Sequence, residues 1–175
     1  MMNNMKKVLF IIASEGFQPM EYFEPKKVLE NAGVEIITGS DKKGKAVSAY
    51  TTETAEATIA LEEVNIDDYD GVFLVGGPGA MEYLNNEKTY KIIREASNSG
   101  KPWGAICISP RILAAAGVLA GKKATGWDGD GELGKILKKA GAEYVDEPVV
   151  VDNNLITATG PSTALDWGEA ILEKL

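Results

Sequence analysis

The chain has 175 residues, of which 45% are hydrophobic and 25% charged, and its formal net charge is −8. This length and composition predict a single domain over residues 1–175, with residues 1–5 as a loose tail. The negative charge and scattered basic residues argue against nucleic-acid binding, which needs lysine and arginine to neutralise phosphates.

The chain contains one cysteine and no histidine, which rules out an internal disulfide and argues against a transition-metal site. We therefore expect no metal and no other cofactor. The early lysines and the apolar run behind them resemble a signal peptide, but Ser14 and Glu15 end that run and no cleavage pattern follows. No segment approaches the ~20 apolar residues of a membrane-spanning helix. We expect a cytoplasmic protein that contacts no membrane.

Strand-like and helix-like segments alternate along the whole chain. The first is the continuous apolar run Val8–Ala13, typical of a parallel strand covered on both faces. The other predicted elements, in chain order, are a helix over 18–32 that contains Pro25 and is ended by Gly33, a strand over 34–38, a short hairpin with edge strands within 42–64, a strand over 70–75, a helix over 89–99, a strand over 101–106, a helix over 109–116, a strand over 123–127, a helix over 132–140, a hairpin around 152–154 and a helix over 162–175. This alternation indicates an α/β three-layer sandwich with a mostly parallel central sheet, whose ligands bind at the carboxyl ends of the strands.

Cys107 lies at such an end, in the stretch "WGAICISPRILAAAG". Ser109 suits the N-cap of the next helix and Pro110 its first turn, which places Cys107 on a sharp strand-to-helix turn, the nucleophile-elbow arrangement. Free N–H groups at a helix start favour an anion, so the pattern predicts a thiol pKa below the ~8.5 of a free cysteine. The alternative is a small buried core residue without chemistry.

A glycine-rich loop, Gly76-Gly77-Pro78-Gly79, follows the strand over 70–75. Glycines let the backbone approach a ligand closely and expose N–H groups, as an oxyanion hole requires. A plain tight turn explains the same residues equally well. The loop is not a phosphate-binding P-loop, because no Gly-Lys-Ser/Thr follows it.

Several of these stretches together resemble the DJ-1/PfpI superfamily, which is related to class I glutamine amidotransferase domains. They are "KVLFIIASEGFQPMEYFEPKKVLENAGVEI", "LVGGPGA", "PWGAICISPRILAAAGVLAGKKAT" and "VVVDNNLITATGPSTALDWGEAIL". They cover nearly the whole chain in the order of the family. The resemblance implies a flavodoxin-like sandwich of the class I glutamine amidotransferase kind.

The resemblance also implies roles for individual residues. Cys107 corresponds to the reactive, oxidation-prone cysteine of the family, and Glu21 to the glutamate beside its sulfur, which is often protonated and donates a hydrogen bond. Such a carboxyl would also stabilise a sulfinic acid after oxidation. Gly77 and the backbone N–H of Ile108 match the oxyanion-hole positions. From the residues alone, Glu21 also reads as a solvated carboxylate in the first turn of a helix.

The chain departs from the family where histidines are expected. Ile108 occupies the position that follows the cysteine in PfpI-type members, and residues 126–128 lack the histidine that other members place there. The acidic partner that peptidase-type members take from a neighbouring subunit falls near Met81, with Glu82 one place away. These departures argue against a Cys-His-Glu peptidase, because no evident group takes up the proton.

Three charged positions are candidates for an auxiliary role. Asp128 belongs to an acidic group with Asp130 and Glu132 near the expected site mouth, and Arg111 follows the predicted helix start. Glu82 is the third. Such an acidic group is more often a solvated loop, and an ion pair with a neighbouring carboxylate is the alternative reading of Arg111.

Three functions are compatible with this sequence. The first is stress or redox chemistry at a Cys107–Glu21 pair, either by addition to small carbonyl electrophiles or by recording oxidation. The second is a PfpI-type intracellular cysteine peptidase or hydrolase with a base other than histidine, and the third is an interaction module that has lost the chemistry. We also expect a homo-oligomer, most simply a two-fold dimer, whose partner covers the edge strands within residues 42–64.

Overall fold

A computed structural model describes residues 4–175. Asn4 and Met5, which belong to the predicted tail, are exposed and lie outside regular structure. The rest of that tail lies outside the described residues.

Helices and strands alternate through the described chain. The strands are β1 Lys7–Ile12, β2 Glu15–Phe17, β3 Glu35–Ser40, β4 Gly44–Ser48, β5 Thr54–Ala57, β6 Ile59–Ala60, β7 Gly71–Leu74, β8 Trp103–Ile106, β9 Lys123–Ala124, β10 Glu143–Tyr144, β11 Val149–Asp152 and β12 Leu155–Ala158. The α helices are α1 Pro19–Asn31, α2 Ala80–Tyr83, α3 Glu87–Asn98, α4 Pro110–Ala116, α5 Leu133–Lys139 and α6 Ala164–Lys174, and short 3-10 turns cover Leu61–Glu63, Ile66–Asp68 and Pro161–Thr163.

The central sheet has seven strands in the order β11-β12-β8-β7-β1-β3-β6. Its pairs are parallel except for the β11–β12 hairpin. From β3 to β12 this is the 2-1-3-4-5 order of flavodoxin-like sheets, in which ligands bind outside the carboxyl ends of the strands near the reversal of strand order. The predicted α/β fold with a mostly parallel sheet is confirmed.

Strand β1 shows why the sheet is covered on both faces. Side chains alternate along a strand, so the apolar run divides between two cores: Val8 and Phe10 contribute to the core that contains α1 and α6 residues, whereas Leu9 and Ile11 contribute to the core that contains α3, α4 and α5 residues. Every β1 residue from Val8 onward is buried. The three layers thus follow from an uninterrupted apolar strand.

Short elements account for most differences from the predicted pattern. β2 and α2 were not predicted, because three or four residues carry no readable periodicity and β2 exists through its pairing with β4. The strand predicted over 123–127 is only two residues long, and it pairs with β10 in a separate two-stranded sheet. The region 42–64 forms the β4–β5 hairpin and the edge strand β6, as predicted.

The described residues, 4–175, include no helix that is both long and apolar enough to cross a membrane.

Candidate functional site

Cys107 occupies the turn between β8 and α4. Its φ of 64° is left-handed, a conformation that non-glycine residues rarely adopt and that is often found at functional sites. Two backbone hydrogen bonds hold it there: the Cys107 N–H donates to the Ala158 carbonyl at 3.0 Å, and the Trp127 N–H donates to the Cys107 carbonyl at 2.6 Å. The sharp turn predicted from the sequence is therefore present at the carboxyl end of the sheet.

Ser109 connects this turn to the loop that follows β7. It stands at the N-cap position of α4, but its side chain makes no capping hydrogen bond. Instead the buried Ser109 hydroxyl donates to the Val75 carbonyl at 2.8 Å. The capping role expected for this side chain is thus replaced by a tertiary contact that holds two loops of the site together.

Glu21 lies in the first turn of α1 and is fully buried. Neither carboxyl oxygen makes a hydrogen bond of standard geometry within the described residues, and the two polar groups that act on the carboxyl are the Cys107 thiol and the Gly76 N–H. Burial disfavours the ionised form and raises the Glu21 pKa to about 8, although both neighbours act in the opposite direction. A solvated carboxylate, the alternative reading of this residue, does not fit this burial. At neutral pH the Glu21 carboxyl holds its proton.

The Cys107 thiol is subject to the same burial. Burial, and next the charge of the Glu21 carboxylate, raise its pKa to about 12, while the N–H groups of Ile108 and Gly77 act in the opposite direction. This corrects the low thiol pKa expected from the turn alone, because desolvation outweighs the helix start. The carboxylate effect disappears when Glu21 is protonated, so the two groups titrate as one coupled pair.

The loop after β7 approaches both members of this pair. A Cβ atom on Gly76 would lie 2.6 Å from Glu21 Oε1 and 2.7 Å from the Cys107 Cβ, closer than side chains tolerate. The adjacent Gly77 has a φ of 112°, and a side chain there would collide with the backbone of residues 16–18. The two glycines therefore permit a contact between three segments that any larger residue would block.

A pocket of about 480 Å³ opens beside the sulfur. It is lined by Gln18, Tyr50, Gly77, Pro78, Met81, Cys107, Ile108, Trp127 and Pro161. Three of the predicted site residues, Cys107, Gly77 and Ile108, are among them. Sequence reasoning assigned no role to Gln18, Tyr50, Trp127 or Pro161, because these residues come from separate loops and carry no shared motif.

The structure places the auxiliary candidates outside this lining. Arg111 makes a two-pronged ion pair with Asp130, at 2.7 and 2.8 Å, and this pair lowers the Asp130 pKa to about 2. Asp128 accepts a hydrogen bond at 2.9 Å from the Leu133 N–H at the start of α5. Glu82 is exposed on α2, where its neighbour Met81 lines the pocket instead.

No three histidine, cysteine, aspartate or glutamate side chains among residues 4–175 are grouped so as to hold a metal ion.

Comparison with known proteins identifies the family. A sequence model described as the DJ-1/PfpI family matches residues 6–174. The chain belongs to the DJ-1/PfpI family. An uncharacterised protein of Methanocaldococcus jannaschii is 44% identical, with 98% of this chain and 84% of that protein covered. Deglycase PfpI of Pyrococcus furiosus is 34% identical over 92% of this chain and 94% of its own length.

Solved structures place the same family on this fold. The crystal structure of a ThiJ/PfpI domain protein from Brachyspira murdochii has a TM-score of 0.90 and 26% identity, covering 97% of this chain and 95% of that one. The DJ-1/PfpI membership predicted from the sequence is thus confirmed, and so is the flavodoxin-like arrangement.

Proposed function

We propose that this DJ-1/PfpI protein consumes small α-oxoaldehydes by adding them to Cys107, with Glu21 as the proton donor. The observation that carries the proposal is the buried Glu21 carboxyl, which makes no hydrogen bond of standard geometry within the described residues and lies beside the only cysteine of the chain at the edge of a pocket. A buried carboxyl that keeps its proton at neutral pH is suited to act as a general acid. The relatives named deglycase support chemistry on small carbonyl-derived compounds.

The addition starts from the pair after one proton has left it to water. The two groups then share the remaining proton, and the form that attacks is the tautomer with the charge on sulfur and the proton on Glu21. The sulfur electron pair then forms a C–S bond to the aldehyde carbon, and the carbonyl π pair moves to the oxygen. That oxygen takes the Glu21 proton, which yields a hemithioacetal and a carboxylate. The N–H groups of Gly77 and Ile108 stabilise the charge on the sulfur before the attack.

An α-oxoaldehyde can proceed from this adduct without an external oxidant. The hydrogen on the former aldehyde carbon moves to the adjacent carbonyl carbon, which becomes an alcohol, while the former aldehyde carbon becomes a thioester. Water then breaks the C–S bond, which restores the Cys107 thiol and releases a 2-hydroxy acid. The pocket favours this reading over a role limited to recording oxidation, because peroxide needs no organic-sized cavity.

Aldehyde addition also suits this site better than peptide cleavage. Amide hydrolysis requires protonation of a leaving nitrogen, which histidine performs in cysteine peptidases, and the chain has no histidine. An aldehyde has no leaving group, so Glu21 supplies all the proton transfer that addition needs. If the protein were instead an interaction module that has lost the chemistry, the Cys107 thiol would be inert.

The test is methylglyoxal consumption coupled to detection of the 2-hydroxy acid. We expect Cys107→Ser to abolish turnover and Glu21→Gln to reduce it by roughly 10² to 10⁴-fold, the usual contribution of a general acid. The wild-type rate should rise towards pH 8, where the pair loses its first proton. Glu24→Gln, which changes an exposed carboxyl of the same helix, is the matched control and should behave as wild type. Consumption that persists in Cys107→Ser would refute the proposal, and Cys107-dependent cleavage of a fluorogenic peptide would favour the peptidase instead.

We also propose a cytoplasmic homodimer. The lone cysteine fits a reducing compartment, and two-fold dimers are the commonest closed assembly. The expectation that a partner covers an exposed sheet edge adds little support for a dimer, because β6, the strand at that edge, has only two residues. Static light scattering should give twice the 18.7 kDa mass of the chain, and a monomer at micromolar concentration would contradict the expectation.

A further inference from the structure

The Cys107 pocket offers no charge to a substrate. None of the nine residues that line it carries a carboxylate, ammonium or guanidinium group. The guanidinium of Arg111 lies 5.3 Å from the Trp127 ring centroid and is neutralised by Asp130. An anionic substrate would therefore meet no counter-charge beside the sulfur, and the net charge of −8 adds long-range repulsion.

Tyr50 lines this pocket in a strained conformation. Its φ is 68°, in the left-handed region that is unfavourable for a bulky side chain. In the single chain the residue is 82% exposed, so its ring gains almost nothing from packing within the chain that would offset the strain. The surrounding structure holds Tyr50 in an unfavourable backbone conformation that packing does not offset. Such strain points towards a functional role for the side chain.

The backbone around Tyr50 is anchored on both sides. The Ala49 N–H donates to the Phe17 carbonyl at 2.8 Å, and the Ser48 N–H donates to the Glu53 carbonyl at 3.1 Å. The Ser48 and Thr51 hydroxyls are 2.8 Å apart. These hydrogen bonds hold the turn in shape, so that the tyrosine ring is presented at the rim of the pocket. Trp127, 38% exposed, supplies a second aromatic side chain to the same pocket.

We infer that the pocket selects uncharged α-oxoaldehydes that carry an aromatic or bulky apolar group, with Tyr50 as the specificity-determining residue. The inference rests on the proposed function and names its substrate class. Contact with the ligand gives the Tyr50 ring the apolar burial that it lacks within the single chain. Carboxylate-bearing aldehydes are rejected, because the pocket would desolvate their charge without pairing it.

The test compares the kcat/KM values for phenylglyoxal, methylglyoxal and 4-carboxyphenylglyoxal, an anionic α-oxoaldehyde that differs from phenylglyoxal only in its carboxylate. We expect the wild-type protein to prefer phenylglyoxal over methylglyoxal by about tenfold or more and to disfavour 4-carboxyphenylglyoxal relative to phenylglyoxal by a similar factor. Tyr50→Gly should reduce the phenylglyoxal-to-methylglyoxal ratio by about three- to tenfold. Because glycine relieves the left-handed strain, this variant should unfold at no lower temperature than wild type. A phenylglyoxal-to-methylglyoxal ratio unchanged by Tyr50→Gly, or a kcat/KM for 4-carboxyphenylglyoxal equal to that for phenylglyoxal, would overturn the inference.

Asn153→Gly is the matched control. Asn153 also has a positive φ, 53°, in the β11–β12 hairpin and does not line the pocket, so its replacement should leave the phenylglyoxal-to-methylglyoxal ratio unchanged.

If no aldehyde is turned over, the proposed function fails, and alkylation of Cys107 by maleimides then tests the aromatic preference of the pocket by itself. The rate ratio of N-phenylmaleimide to N-ethylmaleimide, normalised to the urea-unfolded chain, should exceed one and fall in Tyr50→Gly. A normalised ratio of one would refute the aromatic preference.

Discussion

Replacing Glu21 by glutamine is expected to make the folded protein more stable than wild type at pH 8, with little difference at pH 5. The folded state raises the Glu21 pKa from 4.5 to about 8, whereas the unfolded chain leaves it near its ordinary value. Between these two values the folded protein holds a proton that the unfolded chain has released. The wild-type free energy of unfolding therefore falls as the pH rises through this window and levels off above it.

The size of this stability difference follows from the pH range between the two Glu21 pKa values. At ~1.4 kcal/mol per pH unit, the contribution of Glu21 between pH 5 and pH 8 is on the order of 4 kcal/mol, an upper bound because water entry relaxes a buried charge. Glutamine is neutral at every pH and removes this slope. Urea unfolding of both proteins at pH 5, 6.5 and 8 gives the measurement.

Glu24→Gln is the matched control for the stability experiment as well. Its carboxyl lies on the same helix but is exposed, so its replacement should leave the slope of the wild-type curve unchanged. Parallel pH curves for Glu21→Gln and wild type would show that Glu21 does not hold its proton in the folded state. The proposal that Glu21 acts as the proton donor would then be wrong as well.

The second large effect is expected from Gly76→Ala. The added Cβ would lie 2.6 Å from Glu21 Oε1, 2.7 Å from the Cys107 Cβ and 2.9 Å from the Ile106 carbonyl oxygen, and the last of these is backbone that cannot rotate away. We expect a loss of about 1–3 kcal/mol in the free energy of unfolding, as for overpacking of a core. Because the methyl group also separates the acid from the sulfur, we expect turnover to fall roughly a hundredfold.

Urea unfolding and the methylglyoxal assay measure the two parts of this prediction. The control is Gly134→Ala in α5, where the added Cβ would contact only Tyr144, at 3.6 Å. Gly134 is the second residue of α5, and alanine is more favourable than glycine in a helix, so this variant should be at least as stable as wild type and fully active. A Gly76→Ala protein with wild-type stability and turnover would show that the loop is free to move away from the pair.

Local sequence determined the architecture and the position of the nucleophile. The run Val8–Ala13 predicts a strand buried on both faces, because an uninterrupted apolar segment leaves no side for water. Cys107 followed by Ser109 and Pro110 predicts a sharp strand-to-helix turn, because these residues suit a helix start. Both conclusions depend on neighbours within a few positions of one another. The single-domain organisation inferred from length stays a prediction.

Only the tertiary structure decided the chemistry of the site. Glu21, Gly76 and Cys107 follow three different strands, and their contact depends on the strand order of the sheet. The thiol pKa shows the consequence: the local turn predicted a lowered value, whereas burial against Glu21 raises it. The position of Tyr50 beside the sulfur is equally non-local, since it depends on hydrogen bonds between the loop around residues 48–53 and Phe17. Desolvation and long-range contacts are properties of the folded chain, and no window of the sequence contains them.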